Sequence, residues 1–106
     1  MTAGRPGIRR FGAYLPRLRL ERKAIAAATA FATGSRAGAA KGTRSCCNWD
    51  EDSLTMAVEA ARDCLTGIAA PAIDSLTFAS TSHAFADRSN AGVVATALNL
   101  DESLRV

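Results

Sequence analysis

The apolar and polar positions of this chain group into segments of distinct period. Residues 7–15, GIRRFGAYL, place the strand formers Ile8, Phe11, Tyr14 and Leu15 before Pro16, so a strand ending at Pro16 is expected. Leu18 and Leu20 continue it as an extended arm. Glu21 to Phe31 predicts an Ala-rich helix, strong in propensity and weak in its apolar stripe. Residues 33–50 contain Gly34, Gly38 and Gly42 without apolar periodicity, which predicts a loop.

Asp50-Glu51-Asp52-Ser53 opens the clearest helix, with Asp50 or Asp52 as cap and the acids at the positive end of the dipole. Leu54, Ala57, Val58, Ala61 and Leu65 recur at helical spacing on one face. Glu59, Arg62 and Asp63 face outward, and Gly67 stops the helix. Pro71 precedes a short strand, Ile73 to Ala79, with Leu76 and Phe78 on one face and a small polar end, Ser80-Thr81-Ser82-His83. Arg88 to Leu100 predicts a third helix, capped by Asp87 or Ser89. Its middle, residues 91–98, has no charged face, and a helix apolar all round is buried on all sides. Leu104-Arg105-Val106 begins another strand. The order β-α-α-β-α-β argues for a mostly parallel sheet. A buried third helix needs layers on both its faces, which 106 residues do not supply. Residues 1–106 therefore form the incomplete portion of a larger α/β domain.

Composition sharpens this picture. The chain is 48% hydrophobic, but 23 of those residues are Ala and only 21 are Leu, Ile, Val or Phe. Burying methyl groups gains little, so the fold is either marginal alone or covered by something else. Residues 1–50 carry ten Lys and Arg against two acids, while residues 51–106 carry three Arg against eight acids. Such polarity suits an anionic partner or two halves that face each other. Nucleic acid is not expected, because few aromatics interleave with the basic residues for base stacking.

Three cysteines make no disulfide framework, and their odd count points to a reducing, cytoplasmic setting. Cys46, Cys47, Cys64 and His83 lack any C-x-x-C pair, so neither a zinc site nor another cofactor is expected. No run is long and apolar enough to span a membrane. Arg9-Arg10-Phe11 has the look of a twin-arginine signal, but Pro16 and Arg17 interrupt the path to the weakly apolar run that follows. Gly34 begins a near match to a phosphate-binding loop, but Lys41 precedes Gly42 instead of following a glycine.

Three stretches, GIRRFGAYLPRLRL, KGTRSCCNWDEDSLTMAVEAARDCL and IDSLTFASTSHAFADRSNAGVVATALNL, resemble the N-terminal third of hydroxymethylglutaryl-CoA synthase-like proteins. These belong to the thiolase superfamily with the type III ketoacyl-acyl-carrier-protein synthases. The resemblance runs from Gly7 to Val106 and is most specific over Asn48 to Arg62. It implies a layered thiolase-like fold with the third helix between two sheets, and acyl transfer from acyl-CoA through a Cys nucleophile. In the family that Cys follows the strand that begins near Leu104, and its His and Asn partners lie further on. The resemblance therefore implies an N-terminal fragment, inactive alone, with no catalytic residue among these 106. Its partners would be acyl-CoA or an acyl carrier, and a second copy or second chain that completes the fold.

Cys46 and Cys47 precede the second helix and are not at the strand-to-helix elbow this chemistry uses. Cys64 lies at the negative end of that helix, where the dipole disfavours a thiolate. Hydroxymethylglutaryl-CoA synthases carry a Glu acid/base that falls here on Thr81, which cannot exchange a proton near neutral pH as a carboxylate can. A ketosynthase-like transfer is at least as compatible as acetyl-CoA condensation. Lys41 and Arg44 sit where the family approaches the CoA entrance, as phosphate partners or as solvated charges. Ser80, Thr81 and Ser82 either touch the thioester arm or cap their own strand end. The rival functions are a non-catalytic interaction protein with an exposed apolar helix, and a truncated reading frame.

Overall fold

The computed structural model describes residues 4–34, 40–68 and 72–106. Residues 35–39 of the expected loop, and Pro71, lie outside the described residues. The chain divides into two compact units, one of Met1–Tyr14 with Asp52–Val106 and the other of Leu15–Glu51. The architecture is mixed α/β, with four helices and one two-stranded sheet among the described residues.

In the unit Leu15–Glu51, strand β1 (Leu18–Glu21) runs into helix α1 (Arg22–Ala28), followed by helix α2 (Ala30–Thr33) and strand β2 (Thr43–Cys46). The extended arm is thus a strand, and the expected loop contains its partner. The two pair antiparallel, Leu18 with Cys46, Arg19 with Ser45, Leu20 with Arg44 and Glu21 with Thr43. Arg22 N–H donates to the Gly42 carbonyl at 3.0 Å and extends the same register. Thr-Arg-Ser-Cys has no apolar alternation to announce a strand, so the ladder is imposed by β1. The expected helix over Glu21 to Phe31 is broken at Thr29, whose hydroxyl donates back to the Ile25 carbonyl at 2.9 Å while its backbone leaves the helix. No residue of these four elements is fully buried.

The other unit is built on helix α3 (Ser53–Leu65) and helix α4 (Asn90–Ala97). The expected apolar face of α3 is the buried one: Leu54 and Val58 are buried, and Ala57, Ala61 and Leu65 are half-buried. Asp52 caps it through a capping box, accepting from Leu54 and Thr55 N–H at 2.9 Å while Thr55 Oγ1 accepts from Asp52 N–H at 2.8 Å. Asp52→Ala is expected to cost about 1 kcal/mol, read as a lower denaturant midpoint at constant slope. An unchanged midpoint would show that α3 is held by packing alone.

Residues 7–15 are not a strand: Ile8 and Phe11 are 90% exposed. The segment instead lies on the C-terminal half of α3. A Cβ on Gly12 would stand 2.5 Å from the Ala60 carbonyl oxygen and 2.8 Å from Cys64 Cα, so the two backbones are in contact. Ala13 N–H donates to Asp63 Oδ2 at 3.0 Å, and Arg10 Nη1 donates to the carbonyls of Thr66 at 2.6 Å and Cys64 at 3.3 Å. Every carbonyl from Arg62 to Leu65 thereby has a donor, from Thr66 Oγ1, Thr66 N–H, Arg10 and Ile68 N–H in turn. A cation at this helix end also suits the dipole.

Helix α4 is shorter than the expected span, and Ser89 caps it by accepting from Gly92 N–H at 3.0 Å. Asn99, at φ 54°, ends it in a left-handed turn, with Asn99 N–H on the Thr96 carbonyl and Leu100 N–H on the Ala95 carbonyl, both at 3.0 Å. Leu54, Val58 and Val94 form the core, with Ala57, Leu76, Phe78, Phe85, Val93 and Leu98 packed on it. The expected strand Ile73 to Ala79 is reduced to one parallel bridge, Ser75 with Arg105. Leu76 N–H meets the Arg105 carbonyl at 2.9 Å and Arg105 N–H meets the Asp74 carbonyl at 3.3 Å. The observed sheet is antiparallel, and the parallel sheet expected from the element order is limited to this contact. A parallel ladder needs neighbours of several residues on each side, and Leu104 to Val106 provide few.

Candidate functional site

Of the five residues singled out in the sequence, Lys41 and Arg44 belong to the sheet unit, and Ser80, Thr81 and Ser82 to the α3–α4 unit. Ser80, Thr81 and Ser82 share one turn, whereas Lys41 and Arg44 do not share a site.

Arg44 lies on β2 and is exposed. It lines an open hollow of about 450 Å³ with Arg22, Ile25, Ala26, Thr29, Thr33 and Ala40. That volume suits a small ligand. Arg22 is the first residue of α1, and its N–H bond to Gly42 fixes its backbone beside β2. The threonine hydroxyls are spent inside the helices, Thr29 on Ile25 and Thr33 on the Thr29 carbonyl at 3.0 Å. Among the described residues the lining holds two arginines, on an apolar wall of Ile25, Ala26 and Ala40, and no carboxylate. Two guanidinium groups without a competing acid attract an anion, and phosphate oxygens match their planar donors. Lys41, exposed, stands next to Gly42 and is not part of that lining. Arg22 was missed because its sequence context, Glu-Arg-Lys at the head of an Ala-rich helix, looks like a solvated helix start. Only the β1–β2 register sets it near Arg44.

Ser80, Thr81 and Ser82 form a turn closed by its own hydroxyls. Ser80 Oγ accepts from Ser82 N–H and donates to the Ser82 carbonyl, each at 3.1 Å. Ser53 Oγ, at the head of α3, donates to the same carbonyl at 2.6 Å. Of the three hydroxyls, that of the half-buried Ser80 is committed to the turn, while Thr81 and Ser82 are exposed. Downstream, Asn90 holds the turn into α4 by accepting from Phe85 N–H at 3.0 Å and donating to its carbonyl at 2.8 Å. The Arg88 guanidinium lies 4.8 Å from the Phe85 ring centre.

The remaining reactive side chains are dispersed. His83 is exposed and meets Phe78 edge to face at 5.5 Å. Cys46 closes β2 and Cys47 follows it, with residues 47–52 intervening before α3. Cys64, half-buried in the last turn of α3, has its carbonyl engaged by Arg10. All three thiols are free. Among the described residues no three His, Cys, Asp or Glu side chains gather as metal ligands, and no helix is long and apolar enough to cross a membrane. Asp101 is held below the ordinary aspartate value by the Ser103 hydroxyl and then by Ser103 N–H. It shapes the turn after α4 and borders no reactive group named above. No family model, curated protein or solved structure matches this chain.

Proposed function

We propose that this chain is the N-terminal portion of an acyl-CoA-dependent condensing enzyme of the thiolase superfamily, similar to hydroxymethylglutaryl-CoA synthase. Its role in that enzyme is to bind the phosphate end of CoA or of an acyl carrier, and to form part of a layered α/β domain completed by other residues. The observation that carries this proposal is the hollow walled by Arg22 and Arg44, without a carboxylate among the described residues. It falls in the segment that, by resemblance, approaches the CoA entrance. Support also comes from α4, uncharged and apolar between Asn90 and Thr96 with only Val94 and Ala95 buried, which is what an inner helix without one of its layers looks like. The parallel bridge between Ser75 and Arg105 is in keeping with the start of a parallel sheet. The three free thiols suit the cytoplasm.

In this proposal the nucleophile is supplied from outside these 106 residues. The chain alone, given acetyl-CoA and a second acyl-CoA or acyl carrier, is expected to release no CoA above background. Turnover abolished by Cys46→Ala or Cys47→Ala would place the nucleophile here and overturn that assignment.

Binding gives the positive test. Titration with CoA is expected to shift the NMR signals of Arg22, Ile25 and Arg44, with smaller changes at Lys41. Arg44→Glu should weaken CoA by about tenfold, the size of one lost charge-assisted contact. Shifts that ignore Arg22 and Arg44, or an unchanged affinity in the variant, would remove the phosphate role.

A further inference from the structure

We propose that the sheet face carrying Leu18, Leu20 and Arg44, with the hollow beside it, docks on the surface of an anionic phospholipid bilayer. A lipid phosphate sits between Arg22 and Arg44, and the two leucines enter the boundary between headgroups and acyl chains. The proposal rests on the phosphate reading of the hollow and not on the identity of its soluble ligand.

Strand register fixes which residues share this face. Side chains alternate along a strand, and residues directly opposite in an antiparallel pair project to the same side. Leu20 stands opposite Arg44 and Leu18 opposite Cys46, so these four side chains lie on one face. Arg44 also lines the hollow with Arg22, Ile25 and Ala26, so the guanidinium pair borders the leucine row. Glu21, the acid of β1, projects from the opposite face with Arg19 and is paired with Lys23 at 3.2 Å. Arg19 itself is turned back on the Pro16 and Leu18 carbonyls. Among the described residues of the two strands and the hollow lining, the proposed docking side presents two leucines and two arginines, and no carboxylate.

Shape and charge then select the occupant. Leu18 and Leu20 are 48% and 44% exposed, and no residue of either strand, of α1 or of α2 is fully buried. A single acyl chain needs a cleft that encloses most of it. A ladder of four residue pairs gives these leucines no walls, so what fits them is itself an extended surface. A bilayer offers phosphate and hydrocarbon side by side, which is the juxtaposition that Arg44 and Leu20 present. Charge sets the sign of the headgroup. Residues 15–51 carry seven Lys and Arg against three acids, an excess that anionic lipid attracts and neutral lipid does not. Apolar insertion and basic charge are each weak alone, and stable attachment to a membrane surface uses both.

The test is sedimentation of the full chain with sucrose-loaded vesicles, either of phosphatidylcholine alone or mixed equally with phosphatidylglycerol. The mixed vesicles should bind the chain about tenfold more tightly than the neutral ones, and added salt should release it. Leu18→Thr with Leu20→Thr keeps strand propensity and removes the apolar row. Vesicle affinity should then fall about tenfold, while the CoA-induced NMR shifts of Arg22 and Arg44 stay as in wild type. Leu18→Trp with Trp49→Phe leaves a single Trp, on the proposed face. Its emission should move to the blue on mixed vesicles, a readout of position that a folding defect would not give. Equal uptake by both kinds of vesicle, wild-type uptake of the threonine variant, or an unmoved emission on vesicles that bind the chain would each overturn the proposal. Absent vesicle uptake with CoA binding intact would overturn this proposal alone, whereas absent CoA binding with vesicle uptake intact would overturn only the soluble-ligand reading of the hollow.

Discussion

Gly12→Ala should detach the N-terminal segment from α3. The new Cβ would fall 2.5 Å from the Ala60 carbonyl oxygen and close on the Cys64 backbone. No rotamer change relieves a clash with helix backbone, so the segment itself has to move. Its ties then go with it, the Ala13 bond to Asp63 and the Arg10 bonds to Cys64 and Thr66. The expected loss is about 2 kcal/mol. Amide exchange reads it locally: Ala13 N–H should lose its protection, and the last turn of α3 should fray while Val58 keeps its own. Gly7→Ala is the control, since no atom lies within 4 Å of its added Cβ. Equal protection of Ala13 in wild type and Gly12→Ala would mean that the segment is not docked.

The sheet unit should open long before the helical one. Every fully buried apolar side chain among the described residues, Leu54, Val58, Val94 and Ala95, lies in the α3–α4 unit. The sheet unit also leaves Phe31 and Trp49 each 92% exposed. Local stability follows buried apolar contact, so the inward amides of β1 and β2 should exchange near the unprotected rate at micromolar concentration, and those of α3 far more slowly. The chain leaves Ile8, Phe11, Phe31 and Trp49 at least 90% exposed. It should accordingly bind a hydrophobic dye in its native state and unfold over a broad temperature range. A dye-silent monomer with one sharp transition and uniform amide protection would contradict both expectations.

The helices could be read in the sequence because their determinants are local. Leu54, Val58 and Leu65 repeat within three turns, and Asp52 and Ser89 stand immediately before the residues they cap. The strands could not, because a strand needs a partner before its pattern means anything. Ile8 and Phe11 are good strand formers that find none, and the segment is claimed instead by Gly12 against α3 and Arg10 at its end. Thr43 to Cys46 has a poor pattern and becomes a strand because Leu18 to Glu21 lies beside it. Asp63 was assigned to solvent and is indeed exposed, but its carboxylate holds Ala13, 50 residues away. The candidate site divides the same way. Lys41, Arg44 and the serine turn were visible as types of residue in a place, while Arg22 joins Arg44 only through strand register.

The tie between Arg10 and the end of α3 also bears on the order in which this protein is assembled. Arg10 leaves the ribosome 56 residues ahead of the Thr66 carbonyl it closes on. Until then Ile8, Phe11 and the guanidinium have no surface to meet, and the loop to be closed is long. Helix α3 can form on its own capping box as soon as it emerges, so the N-terminal segment settles after α3 rather than before it. A nascent chain halted near residue 60 would hold that segment unpaired, available to whatever binds emerging apolar sequence.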